Sequence, residues 1–408
     1  MIAAVARLTG VEWKGQGPAF LVALGHSGTH WIIGSILVLL PFIRDDLNLS
    51  YAEAGGLITI FHISAFVANV GSGAVVDVTG RRVLVQVLAL VIGAGAMASA
   101  GFASGMAGLV VAVIVIGLTN NLWHPAAISY LSLKFPKNRG YALSIHALGA
   151  NFGDTIAPLA VGIMLVALNW TDVVSLSALP VFAIALWILI ALSPGDKAER
   201  TEGRAGMSLG DYLHGLAEMV RNRAVLGLCL MAGFRSMTQN GLLVFVPLFL
   251  VNELGAGPVL LGVGIMVMQL AGMISGPIAG TWSDKAGRRR VVLIGMTVTT
   301  WATAAAGLVT NVYLFIVVIS IVGFSLFAVR SVIHSWLMDL TPKTHGGSAT
   351  SLLFGTQSGL SALVPVGGGL IADAWGLAVV FHILAAIILI STIMVSFVPD
   401  RGPQPRQV

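Results

Sequence analysis

The chain is a succession of long apolar runs separated by short polar breaks, and a membrane-crossing helix needs about 20 mostly apolar residues. Twelve such runs are predicted: 18–43, 50–76, 82–103, 106–131, 139–167, 171–192, 224–252, 257–282, 289–310, 311–338, 346–372 and 376–398. The first is too long for a cleaved signal peptide and has no small-residue cleavage site after a short core. It also carries His26 and His30, which a discarded segment has no reason to hold. The chain contains 49 glycines, which suits helices that pack closely in lipid.

Composition narrows the class. Hydrophobic residues make up 57% and charged residues 10%, with a mean hydropathy of +0.93; soluble domains carry about 25% charged residues. Too little polar surface remains for a soluble enzyme, a disordered scaffold or a nucleic-acid binder. The pI near 9.6 and net charge of +5 point to nucleic acid only until the basic residues are located. All but Arg44, Arg235 and Arg330 of the 22 Lys and Arg fall in the termini and in the loops after spans 2, 4, 6, 8 and 10. The positive-inside rule then predicts both termini in the cytoplasm. The single cysteine, Cys229, allows no internal disulfide and no cysteine-based metal site. No phosphate-cradling Gly-Lys-Ser/Thr loop, nucleophile elbow or zinc-protease motif occurs, so neither catalysis nor a cofactor is expected.

The chain reads as two halves. Residues 193–223 form the longest polar stretch, opening on Ser193-Pro194-Gly195-Asp196. Ser208 and Asp211 then resemble a helix cap, with Leu209, Tyr212, Leu213, Leu216 and Val220 at helical spacing, which predicts a short amphipathic helix on the membrane face. The expected division is a six-helix bundle over 1–192, a linker over 193–223 and a second six-helix bundle over 224–408. Four features recur at an offset of 206 or 207 residues. Gly73-x3-Asp77-x2-Gly80-Arg81-Arg82 matches Gly280-x3-Asp284-Lys285-x-Gly287-Arg288-Arg289, and Pro136-Lys137-x2-Gly140 matches Pro342-Lys343-x2-Gly346. Gly149-x3-Gly153 matches Gly355-x3-Gly359, and Pro41 matches Pro247. The predicted fold is therefore an all-α membrane protein of twelve transmembrane helices in two pseudo-symmetric halves.

The doubled loop carries a resemblance. Gly280 to Arg290 is similar to the signature loop of the major facilitator superfamily, and its first copy differs by Val78 where a basic residue is usual. The resemblance covers the whole chain. Within the superfamily, His26, Trp123-His124-Pro125, Gly149-Ala150-Asn151-Phe152-Gly153, Pro158 and Gly369-Leu370-Ile371-Ala372-Asp373 resemble the fosmidomycin-resistance efflux branch. That branch tends to be acidic where this chain has His30 and Ala126, so its proton-coupling scheme does not carry over intact. The resemblance implies that Gly73, Asp77, Gly80, Arg81, Gly280, Asp284, Gly287 and Arg288 act as conformational gate loops. It also implies that spans 1, 4, 7 and 10 line a central cavity.

Polar residues at membrane depth need a reason, because a charge there costs about 2.5–3.5 kcal/mol on insertion scales. Asp154 lies in span 5 directly after the glycine motif, and its repeat partner is Leu360, so the fold does not itself require an acid. It is either neutralised by a structural partner or a proton-exchanging carboxylate, the reading preferred. His26 and His30 lie one turn apart on one face, with an unperturbed pKa of about 6.5 that suits proton exchange. Such a pair can hold a metal ion in principle; no third intramembrane ligand is evident, so no metal is expected. His124 shares a polar stripe with Asn120 and Asn121, whereas His62, His146 and His382 read equally well as helix-to-helix hydrogen bonds. Arg235 and Arg330 must pair, face water or bind an anion. An offset of 206 takes His124 onto Arg330 and Thr29 onto Arg235. Met266, Met268, Gln269 and Met273 on span 8 read mainly as core.

The expected function is secondary active transport by alternating access: proton-coupled efflux of a small organic anion or amphiphilic antimicrobial. Asp154, His30 and His26 are the expected proton-coupling residues. Arg235, Arg330, His124, Asn120, Asn121, His334, Gln239 and Gln357 are the expected substrate contacts. The rivals are an uncoupled facilitator or importer of an anionic metabolite, and a non-transporting sensor or scaffold. The expected partners are a small-molecule substrate, protons and lipid, with no nucleic acid, and the expected setting is a monomer in a bacterial inner membrane.

Overall fold

The computed structural model describes residues 12, 15–195, 217, 219–341 and 346–400, and among them there is helix but no strand. The first half holds α1 (Gly17–Asp46), α2 (Tyr51–Thr79), α3 (Arg82–Ala100), α4 (Met106–Lys134), α5 (Arg139–Met164), α6 (Trp170–Leu176) and α7 (Ala178–Leu192). The second holds α8 (Arg223–Asn252), α9 (Pro258–Ala286), α10 (Arg288–Ala306), α11 (Val312–Leu340), α12 (Gly346–Ser361), α13 (Val364–Trp375) and α14 (Leu377–Val395). Twelve spans result, because α6 with α7 and α12 with α13 each make one interrupted span. Pro365 explains the second break: it sits in the first turn of α13, where a missing N–H is harmless but the ring blocks continuation from α12. At the first break the Ser177 carbonyl accepts a bond from Trp31 Nε1 at 2.9 Å.

Among the described residues, ten segments are long and apolar enough to cross a membrane. The α12–α13 span falls short because it is broken. In α10, Arg288 to Arg290 and four threonines dilute the apolar character. Those threonines are accommodated locally: Thr299 and Thr300 donate to Gly295 and Met296 carbonyls at 2.8 Å each. The amphipathic linker helix expected on Leu209, Tyr212, Leu213 and Leu216 lies outside the described residues, as do Pro342 and Lys343.

The chain forms two compact units: Met1–Leu47, Ile60–Gly203 and Pro258–Met266 in the first, and Asn48–Thr59, Arg204–Gly257 and Val267–Val408 in the second. Each thus takes a helix start from the other half of the sequence. In the second unit, Asp373 accepts from the Tyr51 and Ala52 N–H groups at 2.8 and 2.9 Å, satisfying donors that an α2 N-terminus leaves open. In the first, Gly262 lies against the Pro158 carbonyl and Gly162 against that of Pro258.

Within the first unit α1 packs chiefly on α5, and α3 on α4. The Gly149-x3-Gly153 motif explains the α1–α5 approach: a Cβ at Gly149 would collide with the Ala23 carbonyl, and one at Gly153 with that of Ser27. Within the second unit α8 packs on α12 and α14. The repeated glycines Gly355 and Gly359 face open space there. One packing motif has been kept twice and is used once for close approach.

Gly149→Ala is therefore expected to lower the melting temperature of the detergent-solubilised protein, by an overpacking cost of about 1–3 kcal/mol. Gly355→Ala should leave it unchanged or raise it, because alanine removes the entropic cost of a helical glycine. Equal losses at both positions would contradict the asymmetric packing.

Candidate functional site

The glycine contact between α1 and α5 brings together an imidazole cluster in the first unit. His26 is buried, and its Nδ1 lies 2.8 Å from the His146 carbonyl oxygen. A carbonyl only accepts, so this nitrogen carries the proton and Nε2 bears the lone pair. His124 on α4 repeats the arrangement, with Nδ1 at 3.1 Å from the Asn120 carbonyl. The two Nε2 atoms face each other at 3.3 Å. His30, one turn along α1, places Nδ1 2.9 Å from Asp154 Oδ1, with both side chains about a quarter exposed. The rings of His26 and His146 stack at 3.9 Å, while His30 and His124 meet His26 edge-on at 4.9 and 5.1 Å. Trp123 is fully buried and donates its Nε1–H to His146 Nε2 at 3.4 Å. That indole fits because Gly25 leaves room for its ring.

Neighbouring polar groups fix the helices. Asn120 Nδ2 donates to the Thr29 carbonyl at 3.3 Å and Asn121 Nδ2 to that of Ala65 at 2.5 Å, tying α4 to α1 and α2. Thr29 Oγ1 donates back to the His26 carbonyl at 2.8 Å.

The second unit carries the arginines. Arg235 on α8 is buried, and its Nε and Nη2 donate to the Leu326 carbonyl on α11 at 3.2 and 2.8 Å. Arg330, one turn further along α11, is exposed. The two guanidinium groups lie within electrostatic reach of each other and of His334. Among the described residues neither arginine has a carboxylate within ion-pair distance. His334 stacks edge-on with Phe354 at 5.2 Å, and its buried Nε2 has no hydrogen-bond partner among the described residues. Gln239 on α8 and Gln357 on α12 are half-buried.

At the ends of α9, α10 and α11, Arg288 is a hub. Its Nη1 donates to Ser283 Oγ at 2.7 Å and to Asp284 Oδ1, and its Nε to Asp339 Oδ2 at 3.1 Å. Gly80 and Gly287 occupy equivalent turns with φ of 61° and 91°, a region that disfavours side chains. Arg81 is exposed, while Arg82 is buried and donates to Ser129 Oγ at 2.7 Å. Gly280 meets open space. The side chain of Asp77, and the position of Gly73 within its surroundings, lie outside the described residues.

His26, His30, His124 and Asp154 come together as one cluster, and Arg235, Arg330 and His334 as another. The sequence names no partner for Asp154; in the structure it is His30. The packing of α4 on α1 also brings the His124 ring beside His26. His146 was given no special role, yet its carbonyl and ring orient His26. The available signal was its position two turns before Asp154 on one helix face. Asp339, near the end of α11 and given no role from the sequence, is a partner of Arg288.

A multi-pass helical chain with polar clusters inside both units has the build of a membrane transporter. The family model described as Major Facilitator Superfamily matches residues 20–274 and 228–408, so the chain belongs to that superfamily. It is similar to the hexuronate transporter of Escherichia coli (strain K12), 22% identical over 97% of this chain and 96% of the relative. It is also similar to the fosmidomycin resistance protein of the same strain, 20% identical over 93% and 92%. The fold matches the crystal structure of the nucleoside transporter NupG with a TM-score of 0.80, at 12% identity, over 93% of this chain and 99% of that one. The protein is a multi-pass membrane transporter and not an enzyme.

The two carboxylates on Arg288 are exposed, so each contributes at most about 1 kcal/mol. Asp284→Asn and Asp339→Asn should each lower thermal stability slightly, and the double variant by more than the two together. Strict additivity in a double-mutant cycle would show that Arg288 does not couple them.

Proposed function

We propose that the protein is a proton-coupled secondary transporter of small organic anions. The observation that carries this reading is the arginine pair: two permanent charges in one unit, with no carboxylate beside either among the described residues. A guanidinium offers a carboxylate two parallel hydrogen bonds, and an anionic ligand would supply the missing countercharge. Arg330 is the exposed member and the proposed first contact, with His334 beside it and Gln239 and Gln357 as further proposed contacts; Arg235 adds to the positive field. The likeness to a hexuronate transporter supports this reading, since a hexuronate carries one carboxylate. In the first unit, Asp154 paired with His30 is the proposed proton-exchanging group, with His26 adjoining and His124, Asn120 and Asn121 supporting it. The likeness to a fosmidomycin resistance protein supports export as the direction. The basic loops support cytoplasmic termini, and the bacterial relatives support an inner-membrane location; we take the monomer as the working unit. The Arg288 loop and its first copy, with Gly73, Asp77, Gly80 and Arg81, are proposed to set conformational balance rather than affinity.

The parent protein should be stabilised against heat by glucuronate and similar organic anions, and not by lipophilic cations. Arg330→Gln should weaken the anion at least tenfold, about 1.4 kcal/mol. Stabilisation by cations, or unchanged anion binding in both Arg235→Gln and Arg330→Gln, rules the anion site out.

Asp154→Asn should abolish accumulation driven by a pH gradient in proteoliposomes while leaving substrate exchange measurable. A variant that concentrates substrate as well as the parent would leave the uncoupled facilitator as the better description.

A further inference from the structure

We infer that His26, His30 and His124 form a binding site for a divalent transition-metal ion. The inference is independent of the anion site, which lies in the other unit; it takes up side chains proposed above for proton exchange, and it starts from proton positions. Each of His26 and His124 gives its Nδ1–H to a backbone carbonyl. Both Nε2 atoms therefore carry lone pairs, and they point at each other across 3.3 Å. A cation between them would take both lone pairs. The separation is that of two ligands on one ion: nitrogens bonded at about 2.0–2.1 Å with a tetrahedral angle lie about 3.3–3.4 Å apart.

His30 completes the set. One ring nitrogen from each of His26, His30 and His124 lies within 4.8 Å of the others. With the Asp154 carboxylate accepting from Nδ1, the His30 Nε2 is left as the donor atom. All three imidazoles thus have the support that metal-binding histidines require, the other N–H being held by a backbone carbonyl or a carboxylate. The fourth ring is excluded by its own bonding, because His146 Nε2 accepts from Trp123. Three neutral imidazoles select ions of the Zn2+, Co2+, Ni2+ and Cu2+ group over Mg2+ and Ca2+, which prefer oxygen. Three protein ligands leave a coordination position open to water or to an anionic ligand.

The test uses the full-length protein without a histidine tag, stripped by chelator and titrated with Co2+ and with Zn2+. The expected result is one equivalent bound, visible Co2+ absorption characteristic of low coordination, and a rise in melting temperature that chelator reverses. His26→Gln, His30→Gln and His124→Gln should each weaken binding at least tenfold. Asp154→Asn, removing only the carboxylate behind His30, should weaken it by about 10–100-fold while keeping one equivalent. His62→Gln on α2 should bind as the parent does. Absence of a stoichiometric ion in the parent overturns the proposal and leaves the His26–His124 contact to a proton. Binding that survives all three ligand substitutions overturns it too, by placing the ion elsewhere. The chelator-reversible stabilisation is read on the parent, so poor folding of a variant does not remove the test.

Discussion

A hydrogen-bonding group in hydrocarbon has no water to turn to, and the interior of each unit is arranged around that constraint. His26 can stay buried on α1 because the His146 carbonyl on α5 takes its proton. That bond requires α5 to run close to α1, which in turn requires Gly149 and Gly153 at the crossing. The same approach delivers Asp154 to His30. Trp123, Asn120 and Asn121 then discharge their own donors onto α5, α1 and α2, which fixes α4 and the direction of His124. In the second unit, one carbonyl at Leu326 takes bonds from two nitrogens of Arg235 and locks α8 to α11. Packing and polar satisfaction are one requirement here, met by the same residues.

The internal repeat shows how far two copies of a fold can diverge under it. Gly149 and Gly153 are contact residues, while Gly355 and Gly359, at the same register, face open space. At the offset of 206 residues His124 becomes Arg330 and Thr29 becomes Arg235. A neutral imidazole presents a lone pair; a guanidinium has only donors. The first unit therefore collects acceptor nitrogens, suited to cations, and the second collects permanent positive charge, suited to anions.

The fold was legible because bilayer thickness imposes a length on every apolar run, and the doubled Gly-Asp-Gly-Arg loop fixed the repeat. The α10 span was also readable, although its arginines and threonines hide it from a hydropathy threshold. The site was legible only in part. Helical spacing tells which residues share a face of α1, so His26 and His30 could be paired. It does not tell which face of α4 turns toward α1, so His124 could not be added to them. For the same reason Asp154 could be recognised as costly but not given to His30. Asp339 was missed for a different reason: three helix ends converge on Arg288, and sequence spacing carries no record of that convergence.

The repeat also supplies an argument about why the imidazoles are there. The positions matching His26, His146 and Asp154 in the second unit are Ala232, Leu352 and Leu360, and His30 is matched by Ser236. Helices of the same architecture thus pack with small or apolar side chains at these points, and Ala232 is fully buried. Polar packing is therefore not a demand of the fold. At the contact of His26 with His124 two imidazole nitrogens meet at 3.3 Å. Groups that the fold does not require, each backed by an acceptor and gathered within 4.8 Å, make sense as the ligands of the proposed cation.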